Sequence, residues 1–215
     1  MPTLTIAKND YKVTKGNIHN IYKQASQDEI DAGLVWYKLA KDFTMLLEST
    51  LDFEISYKKI AGVVAALSVQ NQWNTNKKDA LNVCMAYFEN NNLDDVLVST
   101  YPICKDKAIK ILQSDGSNDS IETILGINAR KTKNFYWNII GDDRAITVDG
   151  HAFNIATNRV SSLKEVPTIS KKNYKILQTE YKLATSFINR KYNLSLKVSD
   201  VQAITWVTYK RINDK

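Results

Sequence analysis

LGINARKTKNFYWNIIGDDRAITVDGHAFNIA, residues 125–156, is the stretch whose reading decides the fold. It reads as a short hairpin, a helix beginning near Lys131, a loop from Gly141 to Arg144, a buried apolar connector (Ala145, Ile146, Val148), and a second helix entered through Asp149. Lys131 opens one helix, and Asp149 stands where an N-cap belongs and opens the next. Both side chains are therefore expected at helix beginnings, where clefts commonly form, and not on solvated mid-helix faces.

Composition bounds the rest. The chain has 215 residues, 44% hydrophobic and 24% charged, which is ordinary for a folded protein with one sizeable core or two small lobes. Seven Gly and three Pro leave few turn signals, and Ala, Leu, Lys, Asn and Ile are abundant, so an all-α fold is expected. The two cysteines, Cys84 and Cys104, lie outside any Cys-x-x-Cys spacing, which excludes a cysteine-built zinc site or iron-sulfur cluster. Neither a cofactor nor a metal is expected. No apolar run of signal-peptide type follows Met1 and none approaches the ~20 residues that span a bilayer. The expectation is a cytoplasmic monomer with no membrane partner.

Charge is unevenly placed. Residues 1–150 carry 17 Lys and Arg against 19 Asp and Glu, whereas residues 151–215 carry 12 against 4. A basic C-terminal third beside a near-neutral remainder suits a polyanion, because clustered cations release the counterions of nucleic acid. A merely lysine-rich solvated surface is the alternative.

Along the chain, residues 1–15 show little periodicity and are expected to form a loose arm. Apolar positions from Ile18 to Leu47 predict two helices, carrying Trp36 and Tyr37 on a core stripe. Ile60 to Val69 predicts a closely packed helix, with Ala61, Gly62, Ala65 and Ala66 permitting near approach. It delivers Ser68, Gln70, Asn71, Gln72 and Trp73 at its C-terminal end. Helices are then expected over residues 77–88 and 105–112, the second after a break at Pro102. Asp119 with Glu122 reads as a capping box for a short helix before the hairpin. After a break at Val166-Pro167-Thr168 comes a long helix from Tyr174, then a last one capped by Ser199 with Gln202 and presenting Lys210 and Arg211 outward. No internal repeat or linker is visible, so residues 1–215 read as one unit of two helical lobes. The hairpin lobe covers about 75–145, and the N- and C-terminal helices make the other.

Arg130-Lys131-Thr132 followed by Val148-Asp149-Gly150-His151, with 18 positions between Lys131 and Asp149, resembles the helix-hairpin-helix DNA glycosylases of the endonuclease III type. Ala66-Leu67-Ser68-Val69-Gln70 is similar to that superfamily's Leu-Ser-x-Gln segment, and the pieces occur in order over roughly residues 56 to 210. The iron-sulfur cluster of many relatives has no counterpart here. The resemblance implies a two-lobed glycosylase-like fold acting on double-stranded DNA with one flipped nucleotide. In it Lys131 is the nucleophile, Asp149 stabilises positive charge at C1′, and Gln70 fills the place of the everted base. Asn71, Gly126, Arg130, Lys133, His151, Lys210 and Arg211 are then expected at the DNA, and Trp36, Gln72 and Trp73 around the base. Read without the resemblance, Lys131 is a solvated first-turn lysine, Asp149 a simple cap, Gln70 part of a turn and His151 a structural histidine.

The chemistry sets a condition. A lysine attacks C1′ only as the neutral amine, and its ordinary pKa of about 10.4 must be lowered by desolvation or neighbouring cations. Arg130, Lys133 and the positive end of the helix act in that direction. The hairpin departs from the superfamily: its Gly-x-Gly falls on Ile127-Asn128-Ala129, with only Gly126 nearby, and a phosphate-gripping turn needs glycines. Phage-encoded relatives resemble the chain in Lys131 to Tyr136 and Val148 to Ala152. Some of those are linked to thymine hypermodification, in which the glycosidic bond survives. A base-modifying transferase on the same scaffold, and a non-catalytic DNA-binding module, are the alternatives to a glycosylase with AP lyase activity.

Overall fold

The computed structural model describes residues 2–6, 9–142 and 144–213. It is mostly helical, with one two-stranded sheet among the described residues. Two compact units emerge: residues 1–37 with 142–215, and residues 38–141.

The first unit begins with a correction. The expected loose arm is an antiparallel hairpin of β1 (Thr3–Ile6) and β2 (Asn9–Lys12), with Leu4 opposite Tyr11. Leu4, Tyr11 and Val13 are buried, so the alternation in Thr3-Leu4-Thr5 and Asp10-Tyr11-Lys12-Val13 faces a core. Each strand is too short to show that period in a sequence window; met by the rest of the unit, it is enough. Ala7 and Lys8 of the same segment lie outside the described residues. Helix α1 (Lys15–Tyr22) follows, capped by the Thr14 hydroxyl. Helix α2 (Gln27–Thr50), of which the residues up to Tyr37 belong to this unit, starts with a reciprocal box, in which Ser26 Oγ accepts from the Glu29 N–H and Glu29 Oε2 from the Ser26 N–H.

The remainder of this unit comprises α8 (Gly150–Thr157), α9 (Lys171–Tyr192) and α10 (Val198–Asn213). Their inward faces join the hairpin and α1 in one core built on Ile18, Phe153, Leu177, Tyr181, Ile188 and Ile204. Gly33 of α2 lies so close to α10 that a Cβ there would stand 2.6 Å from the Ile204 Cα. The cap expected for α10 is different: Ser199 is a buried residue within the helix, and Asp200 accepts from the Lys197 N–H at 2.8 Å. Asp200, the third residue of the helix, reaches back to the N–H of the residue that precedes the helix, a position that Ser199 inside the first turn cannot serve.

In the second unit α3 (Tyr57–Leu67) is the central element, buried without interruption from Ile60 to Leu67. It packs against α4 (Trp73–Phe88), α5 (Pro102–Gln113), α6 (Asn118–Leu125) and α7 (Arg130–Ile140). Gly62 permits the crossing, since a Cβ would meet Ile111 and Ile121 side chains at 3.0 Å. Three boundaries differ from expectation. Helix α4 starts four residues early, at Trp73, because the buried Asn76 amide donates to the Val64 carbonyl at 3.0 Å and tolerates the helix. Helix α5 starts at Pro102 itself, the first helical position, where a missing N–H costs nothing. Ser117, not Asp119, caps α6, accepting from the Ser120 N–H at 3.2 Å. Glu122 is turned instead to the Trp137 indole N–H at 2.5 Å.

Candidate functional site

Lys131 belongs to the second unit. Helix α7 follows α6 through the four residues 126–129, a turn closed by the Ala129 N–H donating to the Gly126 carbonyl at 3.0 Å. Gly126 has φ of +109°, a conformation that glycine alone adopts freely. The Lys107 ammonium donates to the Leu125 carbonyl at 2.7 Å beside it. Lys131 is half-buried in the first turn of α7, and its Nζ donates to the Ser68 carbonyl at 3.3 Å. Arg130 reaches back to Asn128 Oδ1 at 3.2 Å, and Lys133 lies 3.8 Å from Glu122.

Ser68 opens the loop that joins α3 to α4, and this loop carries the next group of candidates. Gln70 is exposed at its tip with φ of +50°, a left-handed conformation unusual for a residue with a Cβ. Its neighbours are pinned. The Asn71 amide donates to the Leu67 carbonyl at 3.1 Å and to Asp79 at 2.9 Å, and the Thr100 hydroxyl donates to the Val69 carbonyl at 2.5 Å. Asp79, only 4% exposed, also accepts from the Ser99 N–H at 2.8 Å. Gln72 stands at the N-cap of α4 without a side-chain cap bond. Trp73 is wedged edge-on between Phe43 and Phe135, at 6.5 and 6.4 Å.

Asp149 belongs to the first unit, where it caps α8: its Oδ1 accepts from the Ala152 N–H at 2.8 Å. Its Oδ2 accepts from the Trp206 indole at 3.1 Å, so both carboxylate oxygens have directed donors. The apolar connector leading to it, Ala145 to Val148, is buried without pairing as a strand. Its backbone is satisfied by α9, as the Tyr174 hydroxyl accepts from the Val148 N–H at 3.0 Å and the Gln178 amide donates to the Ile146 carbonyl at 3.2 Å. Of the loop before it, Asp143 lies outside the described residues, and Arg144 pairs with Asp142 at 2.8 Å.

Trp206 gathers several candidates of this unit. The Trp36 ring meets it at 5.9 Å, the His151 ring at 6.0 Å, and the Lys210 ammonium lies 4.8 Å over its face. His151 also lies 5.8 Å from Tyr209, and its Nδ1 is buried with no hydrogen-bond partner among the described residues. Tyr37 donates to Gln202 at 2.7 Å, and burial, with the Asp149 charge adding to it, pushes its phenol above the ordinary range. Arg211 is committed elsewhere: it binds Glu29 through Nε at 2.5 Å and holds that carboxyl below its ordinary range.

The family model described as a family of unknown function, DUF7178, matches residues 2–213. The chain belongs to DUF7178. No curated protein and no solved structure matches it.

Within this DUF7178 chain, no group of three or more His, Cys, Asp or Glu side chains among the described residues is placed to hold a metal ion. No helix of the described residues is long and apolar enough to cross a membrane. Cys84 is wholly buried, and burial pushes its thiol up to about 12, so it is no nucleophile. Sequence reasoning missed Trp206 as the donor to Asp149, Tyr174 as the tether of the connector, and Asp79 as the anchor of the Gln70 loop. Only for Asp79 was there a local hint, as an acidic residue in the α4 stretch eight positions after Asn71.

Proposed function

We propose that the chain is a DNA N-glycosylase with AP lyase activity, built on a two-lobed helix-hairpin-helix scaffold in which α6, the turn 126–129 and α7 form the hairpin motif. The observation that supports this most is the bond between Lys131 and the Ser68 carbonyl. It joins two motif pieces 63 positions apart, the candidate nucleophile and the loop bearing Gln70, in one unit. The carboxylate of Asp149, oriented by a helix N-terminus and an indole, suits the stabilisation of a cationic sugar.

In the proposed reaction the neutral Lys131 amine attacks C1′ of the everted nucleotide. The glycosidic bond breaks with its electron pair on the base, which takes up a proton. Ring opening then gives a Schiff base between Lys131 and the sugar. Loss of a C2′ proton expels the 3′ phosphate by β-elimination. Asp149 offsets positive charge at C1′, and Gln70 occupies the vacated stack, its amide both donating and accepting to the orphaned base.

The glycine-poor turn supports a second reading, a transferase that alters an everted base and leaves the glycosidic bond whole. Ile127 at the turn is 87% exposed and Gly126 stands alone. One experiment separates the two. Duplexes carrying a panel of modified bases are incubated with protein and borohydride, and the products are weighed. A protein–DNA adduct that Lys131→Ala abolishes supports the glycosylase. An intact sugar bearing a base of changed mass supports the transferase. Full product formation by Lys131→Ala removes Lys131 from either scheme.

A further inference from the structure

The surplus charge of the C-terminal third is concentrated on one helix. In α9 the residues Lys171, Lys172, Lys175, Lys182 and Arg190 are exposed on one side, and a sixth exposed cation, Lys191, stands off that side in the last turn. At about 100° per residue the first five fall within about 100° of arc, along a helix of about 33 Å. The only acidic residue of α9, Glu180, is 6% exposed and turned inward, where it accepts from the Lys15 N–H at 2.7 Å. The exposed face therefore carries cations with no acidic side chain of its own helix between them.

Such a face is unfavourable for the helix in isolation. Lys171 and Lys175 stand at i,i+4, and like charges at that spacing destabilise by about 0.2–0.5 kcal/mol. An ordinary solvated helix relieves this with acidic partners, as Lys38 and Asp42 do on α2. The positive field continues to the end of α9 and onto α1. His19 of α1 is held below its ordinary proton affinity first by burial and then by Lys191 and Lys23.

We infer that the exposed face of α9 is a docking surface for the phosphate backbone of double-stranded DNA. A row of cations with almost no bulky apolar side chain, Leu183 being the exception at 46% exposure, lacks the apolar face that inserts into a lipid surface. It lacks as well the interleaved aromatics of a single-strand stacking platform, since Tyr192 stands only at its end. What remains is a charge array for a regular polyanion, contacting backbone and not base edges. This inference takes its partner from the reading above but does not depend on Lys131 chemistry.

The test is fluorescence anisotropy of a labelled, unmodified duplex bound by the full chain over a series of KCl concentrations. Lys175→Ala/Lys182→Ala should make the negative slope of log affinity against log salt shallower by about 1.8, and weaken binding near 0.1 M salt by about tenfold or more. Charge reversal, Lys175→Glu/Lys182→Glu, should weaken it further, while Lys38→Ala on α2 leaves the slope unchanged. The melting temperature of each variant checks folding and should not fall. An unchanged slope in the α9 variants overturns the inference, as does a wild type that binds acidic phospholipid vesicles in preference to the duplex. An adduct with unchanged α9 slopes leaves the glycosylase standing and this surface refuted. Reduced slopes without any adduct or altered base give the reverse.

Discussion

Gln70→Gly separates the backbone at the tip of the α3–α4 loop from the chemistry of its side chain. Gln70 is held at φ of +50° by bonds on its flanks: Thr100 on the Val69 carbonyl, and Asn71 on the Leu67 carbonyl and Asp79. A residue with a Cβ loses roughly 1–2 kcal/mol in that region, and glycine does not. Against the relief stands the extra freedom of an unfolded glycine, about 0.4–1 kcal/mol. The net expectation is a stabilisation of about 0.5–1 kcal/mol, or a melting temperature higher by about 1–4 °C for a chain of this size. Gln70→Ala keeps the strain and should melt near or below wild type. Both variants delete the amide, so both should lose about tenfold in product formation on a cognate duplex if one net hydrogen bond to the orphaned base is lost. Thermal unfolding followed by circular dichroism, beside borohydride trapping, reads both effects. A glycine variant melting at or below the alanine variant refutes the left-handed backbone; a stabilised glycine variant with full activity refutes the role at the DNA.

Three further outcomes are expected. Gly33→Ala places a Cβ 2.6 Å from the Ile204 Cα and should destabilise by about 2–3 kcal/mol in spite of better helix propensity, whereas Gly16→Ala, whose nearest new neighbour is Thr14 Oγ1 at 3.5 Å, should be neutral or slightly stabilising in the same denaturant titration. Tyr174→Phe leaves the buried Val148 N–H without an acceptor, while the Ile146 carbonyl keeps Gln178, so a loss of about 1–3 kcal/mol is expected by urea unfolding. Arg211→Ala removes the partner that depresses the Glu29 pKa; a depressed carboxyl stabilises above its ordinary value near 4.5 and ceases to as pH falls through the folded value. Wild type should therefore melt slightly above the variant at neutral pH, since solvent screens the Arg211 side of the pair, and the difference in melting temperature should shrink once acid protonates Glu29, leaving only the Arg211 bond to the Gln24 carbonyl.

What could be read from the sequence was local. The helical character followed from composition and apolar spacing, and Asp149 was recognisable as a cap because a cap bond spans three residues, from its carboxylate to the Ala152 N–H. Where a local rule had two candidates, as between Ser117 and Asp119, the sequence misplaced the cap by two positions, and it likewise set the start of α10 too late, at Ser199. Short strands escaped it, since four residues hold too little period to be heard above the surrounding chain.

The charge surplus of the last third was countable from residues alone, but the gathering of five of its twelve cations on one face of α9 needed to be seen as a helix with Glu180 turned inward. Long-range pairing was decided only by tertiary structure. Lys131 on the Ser68 carbonyl, Trp206 on Asp149 and Arg211 on Glu29 join residues 63, 57 and 182 positions apart. Hydrogen bonds are directional over about 3 Å, whereas sequence pattern constrains only neighbours within a turn or two of helix, so which distant donor meets which carboxylate is set by packing.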